Sequence, residues 1–270
     1  MHYDPIKKTL GNFFNRWPLT KRVFYHLLDI LLLRTWHIHK ALRLFFIETA
    51  DRKTVYVLDA GSGFGQYTYF LARKKPHWSI KGVDVKAEEV DSCNAFFSKT
   101  GIKNVRFEVK DLITYSEHNT YDLILSVDVM EHIREDEQVF SNFFHSLKQD
   151  GLLLISTPSN LGGSGVHDEG DSSFIEEHVR DGYSMEEMTE KLKKAGFNKI
   201  KIQYTYGKPG NISWHLSMKY PILLLGKSRL LLLVLPIYYL FVMPFSLILN
   251  AADVRFKHKS GTGLLVKAWK

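Results

Sequence analysis

TVYVLDAGSGFGQYTYFLARK, residues 54–74, decides how the rest of the chain is read. Val55, Val57 and Leu58 make a short apolar β run that Asp59 closes. Gly61, Gly63 and Gly65 then allow a sharp backbone turn, and Tyr67 to Lys74 continue as helix. Such a turn brings bare backbone against a ligand, because glycine has no Cβ to block approach and tolerates positive φ. The spacing here is G-x-G-x-G, with Gln66 where the dinucleotide fingerprint G-x-G-x-x-G would carry its third glycine. A dinucleotide site is therefore set aside.

The next hundred residues alternate strand and helix patterns. SIKGVDV (79–85) is a strand ending on Asp84, and AEEVDSCNAFFSKTG (87–101) is a helix with an acidic first turn and a glycine stop. NVRFEVKD (104–111) is a third strand. YDLILSVDV (121–129) is a fourth, nearly continuous in apolar residues as buried parallel strands are. EDEQVFSNFFHSLKQDG (135–151) is a helix, and LLLISTP (152–158) a fifth strand. SMEEMTEKLKKAGF (184–197) is a helix with Ser184 and Glu187 in capping-box spacing, and NKIKIQYTY (198–206) alternates as a strand. Strands joined by crossover helices predict a parallel sheet covered on both faces.

Length and composition agree with one large domain carrying additions. The 270 residues are 45% hydrophobic and 13% aromatic, ample for a core. The single cysteine, Cys93, excludes an internal disulfide and fits a reducing compartment. No metal-ligand cluster stands out in the sequence, and the first residues lack the apolar run of a secretory signal. The net charge of +7 is unevenly spread. Residues 1–50 carry eight Lys/Arg against three Asp/Glu, and 208–270 carry nine against one, so the middle is net acidic. Basic ends on an acidic centre suggest an anionic surface as partner, phospholipid or nucleic acid, with plain solvated charge as the bland alternative.

The ordered motifs resemble those of the class I S-adenosylmethionine-dependent methyltransferases, over residues 54–206 and the last strand. Asp59, Gly61, Ser62, Gly63, Gly65 and Tyr67 stand where motif I faces the cofactor S-adenosyl-L-methionine. The resemblance places Asp84, with Val85, at the ribose hydroxyls, and a carboxylate can accept both. It places Asp111 and Leu112 at the adenine, and Ser126 and Val127 along the cofactor after strand four. SVDVMEHI (126–133) and the STP ending strand five resemble members acting on quinone-like and other small lipophilic substrates. The resemblance implies an α/β, doubly wound, mostly parallel seven-stranded Rossmann-like sheet with its seventh strand antiparallel.

The expected divisions are an N-terminal helical cap (1–50), a methyltransferase core (51–206), an apolar insertion (207–260) and the final core strand (261–270). In the cap, a run of about thirty residues without Gly or Pro, ending at Thr49, reads as one helix. It is apolar on most sides, and so packs on the core, touches lipid, or does both. The insertion holds twenty uncharged residues from Leu230 to Leu249, long enough to span a membrane. Pro236 and Pro244 interrupt it, and GTGLLVKAWK (261–270) returns to the sheet, so both its ends lie on one side of any membrane. A shallow hairpin, an interfacial helix pair, a lid or a homodimer interface all fit, and contact with an anionic lipid surface is favoured.

The expected activity is methyl transfer to a small lipophilic acceptor, oxygen before carbon, by a cytoplasmic enzyme peripheral to the inner face of a membrane. For the proton of such an acceptor His132 is the first candidate and His178 a substrate-side partner, since imidazole titrates near neutrality. His132 can equally fix its loop. His167 with neighbouring acids is a weak cation motif, and Arg180 either meets a substrate anion or solvates its loop. Nucleic-acid methylation is less favoured. No NPPY-type motif follows strand four, and Cys93 lies in the helix after strand two. A non-catalytic, membrane-associated binding protein on the same scaffold is the remaining alternative.

Overall fold

The structure, a computed structural model, describes residues 18–162, 179–227 and 233–270. Seven strands form one sheet: β1 (Tyr56–Ala60), β2 (Ser79–Asp84), β3 (Val105–Val109), β4 (Tyr121–Val127), β5 (Leu147–Pro158), β6 (Lys199–Thr205) and β7 (Gly263–Trp269). Their order is β3-β2-β1-β4-β5-β7-β6, with β7 antiparallel to both of its neighbours and the pairings from β3 to β5 all parallel. The order reverses between β1 and β4. In open α/β sheets that switch point opens a crevice at the carboxyl ends of the strands, where ligands bind.

Period-two burial explains why the sheet needs cover on both faces. Val57, Leu123, Leu125, Leu152 and Leu154 point to one face. They pack there on α1 (Pro18–Leu31), α2 (Leu33–Glu48), α3 (Gln66–Lys74) and α4 (Ala87–Thr100) through Tyr25, Leu42, Leu71 and Phe96. Leu58, Ile124, Leu153 and Ile155 point the other way, onto α5 (Asp136–Ser146) and α6 (Met185–Ala195) through Phe140, Phe143 and Leu192. Local signals hold at the helix ends. Ser184 Oγ accepts from Glu187 N at 3.0 Å, and Gly101 ends α4 at φ 74°.

Three boundaries differ from the sequence expectation. The N-terminal helix is broken: Leu32, extended at φ −86° and ψ 111°, separates α1 from α2. After the break α2 runs along the sheet face, from Arg34 beside Asp128 after β4 to Phe45 against Trp78 before β2, and buries Leu33, Ile38, Leu42 and Phe45. β5 begins at Leu147, not Leu152, because Leu147 pairs with Tyr121 ahead of a register shift, and α5 is correspondingly shorter. Pro236 opens a helix instead of interrupting one, as its missing N–H allows in a first turn, and Pro244 lies within that helix.

The insertion leaves β6 at Thr205 and returns to β7 at Gly263, and these two residues are paired in the sheet. Between them run α7 (Lys208–Trp214), a wider π turn (His215–Lys219), α8 (Tyr220–Lys227) and α9 (Leu235–Arg255). α9 is apolar on the outside and polar within. Ser246, Asn250 and Asp253 are its buried residues, while Leu240, Phe241 and Ile248 are 70%, 73% and 67% exposed. The polar side is matched in part, since the Ser246 hydroxyl and Asn250 Oδ1 are buried without a hydrogen-bond partner. Asp253 Oδ1 lies 2.8 Å from His37 Nε2 of α2, and its Oδ2 accepts from Gly210 N at 2.9 Å. Ser213 Oγ donates to the Ser246 carbonyl, and the Tyr238 and Tyr239 hydroxyls donate to carbonyls of the π turn.

Candidate active site

The glycine turn leaves β1 and enters α3. Gly61 and Ser62 both donate to the Val83 carbonyl at 2.9 Å, which locks the turn to β2. Gly61 holds φ 75°, and a Cβ there would come within 2.3 Å of Val129 Cγ2. Only glycine fits, and the contact binds the turn to the segment after β4. At Gly63, with φ 47°, nothing lies within 4 Å of where a Cβ would be, so bare backbone faces open space. Asp59 lies under the turn. Its Oδ2 accepts from Thr68 N at 3.1 Å and Thr68 Oγ1 at 2.6 Å, holding the first turn of α3. Burial pushes its carboxyl up to about 6, against the pull of those two bonds.

Asp84 ends β2 beside the turn. One oxygen accepts from Gly63 N and the other from Lys86 N, each at 2.9 Å. Each keeps acceptor capacity for a further hydroxyl. Val85, next to it, is exposed. Asp111 is exposed after β3 and accepts from Ile113 N, while Leu112 is buried and its carbonyl is tied down by Asn142. Ser126 near the end of β4 is fully buried, and Val127, which ends the strand, is half-buried. The hydroxyls of Ser62 and Ser126 are buried without a partner. Tyr67 packs against α2, its hydroxyl 3.3 Å from Thr35 Oγ1. Bare backbone, a carboxylate with spare lone pairs and unpartnered hydroxyls along one cleft edge fit a nucleoside sulfonium. That group, when bound, supplies an electrophilic methyl.

The opposite edge contains residues the sequence did not mark. Arg34 of α2 forms an ion pair with Asp128, and its backbone N donates to the Tyr206 hydroxyl at 3.1 Å. Asp128 and Tyr206 both hold left-handed φ, 53° and 52°. Such strain in non-glycine residues, an aromatic one above all, gathers at functional sites. Glu131, in the 3-10 turn Met130–His132, is buried and accepts from Thr157 Oγ1 at 3.1 Å. His132 is exposed on that turn. Arg180 is held by Asp136 and the Ile133 carbonyl, which ties its loop to α5. His167 and His178 lie outside the described residues. Glu131 was legible as part of the Glu-His signature, whereas no spacing rule connects Arg34 with Asp128.

Sheet order and antiparallel β7 are those of the class I S-adenosylmethionine-dependent methyltransferase fold. The chain belongs to the methyltransferase domain family, whose model matches residues 51–209. Among curated relatives, malonyl-acyl-carrier protein O-methyltransferase of Bacillus anthracis is 28% identical over 126 residues, 45% of this chain and 46% of that one. Phosphoethanolamine N-methyltransferase 1 of Triticum aestivum is 30% identical over 161 residues, 57% of this chain and 31% of that one. The chain thus spans less than half the length of either. Phosphoethanolamine N-methyltransferase 2 of Haemonchus contortus, solved with S-adenosyl-L-methionine, shares the fold at TM-score 0.59 and 19% identity, over 92% of this chain and 60% of that one.

Proposed function

We propose that the chain transfers a methyl group from S-adenosylmethionine to a small lipophilic acceptor taken from an anionic membrane surface. The observation that carries the membrane part is the reversed polarity of α9. A helix packed on a soluble core turns apolar residues inward. α9 instead packs through Ser246, Asn250 and Asp253 and presents Ile237, Leu240, Phe241, Phe245 and Ile248 on one outer stripe. A contiguous apolar stripe of this kind is the signature of a partner surface. Lipid is favoured over a protein partner because residues 208–270 carry nine Lys/Arg and one Asp/Glu, the pairing of apolar face and basic charge that binds anionic interfaces. Since Thr205 and Gly263 are paired, the insertion enters and leaves at one place, and α9 lies in the interface without crossing the bilayer.

His37 and Asp253 join α9 to α2, the same helix that carries Arg34 to the cleft. A lipid-bound α9 therefore holds the cleft close to the bilayer, where a lipophilic acceptor is concentrated. Co-sedimentation of the full chain tests this. Binding to phosphatidylglycerol vesicles should exceed binding to phosphatidylcholine vesicles and weaken with salt. Replacing both Leu240 and Phe241 by Glu should reduce it at least tenfold while S-adenosylmethionine binding stays. Undiminished vesicle binding by that variant would contradict the proposal. A concentration-dependent dimer that the same substitutions abolish, without vesicle binding, would assign the stripe to a second copy instead.

A further inference from the structure

We infer that Gln66 is a positioning residue for the methyl donor: Asp29 and Thr35 of the two N-terminal helices hold its side-chain amide, and through it one flank of the glycine turn. On the methyltransferase reading, on which this rests, the donor site is completed by residues from outside 51–209, the stretch that the family model matches.

The glycine turn is held from two directions. Toward the sheet it is fixed by the Val83 carbonyl, by Asp84 and by the contact of Gly61 with Val129. The residues that follow, Phe64 to Tyr67, are held by α1 and α2. The Tyr25 hydroxyl of α1 donates to the Phe64 carbonyl. Gln66, the first residue of α3, donates from Nε2 to Asp29 Oδ1 of α1 at 2.8 Å and to Thr35 Oγ1 of α2 at 3.2 Å. The Tyr67 hydroxyl lies 3.3 Å from the same Thr35 Oγ1. Tyr25, Thr35, Gln66 and Tyr67 are all buried. Both amide hydrogens of Gln66 are thus used. A carboxylate partner, which can only accept, fixes which end of the amide faces α1.

The break at Leu32 makes this arrangement possible. Thr35 comes six positions after Asp29. In an unbroken helix the two would stand about 9 Å apart along the axis and about 120° apart around it, too far for one amide nitrogen to reach both. With Leu32 extended, α1 and α2 present them to the same Nε2. Gln66 also stands where the dinucleotide fingerprint carries a glycine, a residue that could make neither bond.

A turn of this kind gains from being held in advance. Gly61, Gly63 and Gly65 all hold positive φ, at 75°, 47° and 79°, and glycine loses more freedom on ordering than any other residue. A donor that binds to bare backbone in a loose turn bears that ordering cost itself, and a turn already fixed binds it tighter. Side-chain packing does not restrain Gly63, which has nothing within 4 Å of where a Cβ would stand. The bond from its N–H to Asp84 holds it on one side, and the bonds of α1 and α2 to Phe64 and Gln66 hold the residues after it. Asp29 in turn depends on Gln66. Burial pushes its carboxyl up, and the Gln66 bond and the His26 charge draw it back.

The test has two readouts on the full chain. The first is calorimetry with S-adenosylmethionine, at a temperature where thermal melting shows each variant folded. Gln66→Leu loses both bonds, and Gln66→Glu sets a second carboxyl against Asp29. Each should weaken donor binding at least tenfold. Gln66→Glu combined with Asp29→Asn exchanges amide and carboxyl across the pair, and the Thr35 and Tyr67 hydroxyls can reverse direction to match. That double variant should bind the donor within about threefold of wild type. An amide that only anchors α1 would lower the melting temperature and leave the affinity of the folded chain unchanged. Wild-type affinity in both single variants would therefore overturn the donor role, and so would a loss in Gln66→Glu that Asp29→Asn does not restore. The second readout is hydrogen exchange with no donor present. The backbone amides of residues 63–68 should exchange at least tenfold faster in both single variants and at wild-type rates in the double variant. Unchanged exchange there would overturn the clamp. Failure of the wild type to bind the donor at all would overturn the methyltransferase reading and the donor role with it, and the exchange result separates that case from a failed clamp.

Discussion

Asp59 joins the fold and the cofactor turn in one side chain. Its carboxyl is buried, holds the first turn of α3 through Thr68, and sits directly before Gly61. With a folded pKa of about 6 against an ordinary 3.8, the folded chain keeps a proton that the unfolded chain releases between those values. Stability from this group is therefore full below 3.8 and falls as pH rises through about 6. Asn can accept both Thr68 bonds without that loss. Asp59→Asn should match wild type near pH 4 and exceed it near pH 7, by on the order of 1–3 kcal/mol in chemical denaturation. A stability difference that stays flat between those pH values would contradict the burial argument. At this scale the sequence was readable wherever backbone geometry dictates residue type. Gly61 and Gly63 could be read as turn residues from their spacing, because a left-handed turn leaves few residue choices, and the resemblance pointed to Asp84 beside them. Arg34 could not, since its meaning depends on where α2 crosses the sheet.

α9 shows the same limit at the level of an element. Its composition predicted an apolar helix of spanning length, but hydropathy says nothing about which side packs. The answer depends on three small polar residues, and on Asp253 in particular, which is fully buried among His37, Gly210 and His258. Burial opposes its charge, yet the His37 and Gly210 hydrogen bonds hold the carboxyl below its usual range. Asp253→Ala removes the carboxylate and leaves the Gly210 N–H and the His37 ring without their partner. It should cost about 3 kcal/mol and raise hydrogen exchange along α9 and α2 before the sheet is affected. Unchanged exchange in α9 would mean that this polar seam does not hold the helix. The break at Leu32 escaped the sequence for a related reason. No Gly or Pro marks it, and the gain from laying α2 on the sheet face is a tertiary one.

The whole molecule divides its tasks by segment. In the proposed reading the sheet and its glycine turn present the donor side, and α2 and the segment after β4 the acceptor side, while the inserted helices carry the apolar stripe. Alternating strands and helices made the seven strands legible to within about two residues except at the start of β5, because a parallel sheet covered on both faces allows few patterns. The direction of the acceptor side was legible only in part, through the Glu-His signature. The proposed activity assumes a working donor site. Isothermal calorimetry of the full chain with S-adenosylmethionine tests that assumption most directly. One site with sub-millimolar affinity is predicted, weakened at least tenfold by Gly61→Ala, whose Cβ meets Val129, and by Asp84→Asn, which loses a charged acceptor. No binding at millimolar donor, or binding indifferent to both substitutions, would contradict it.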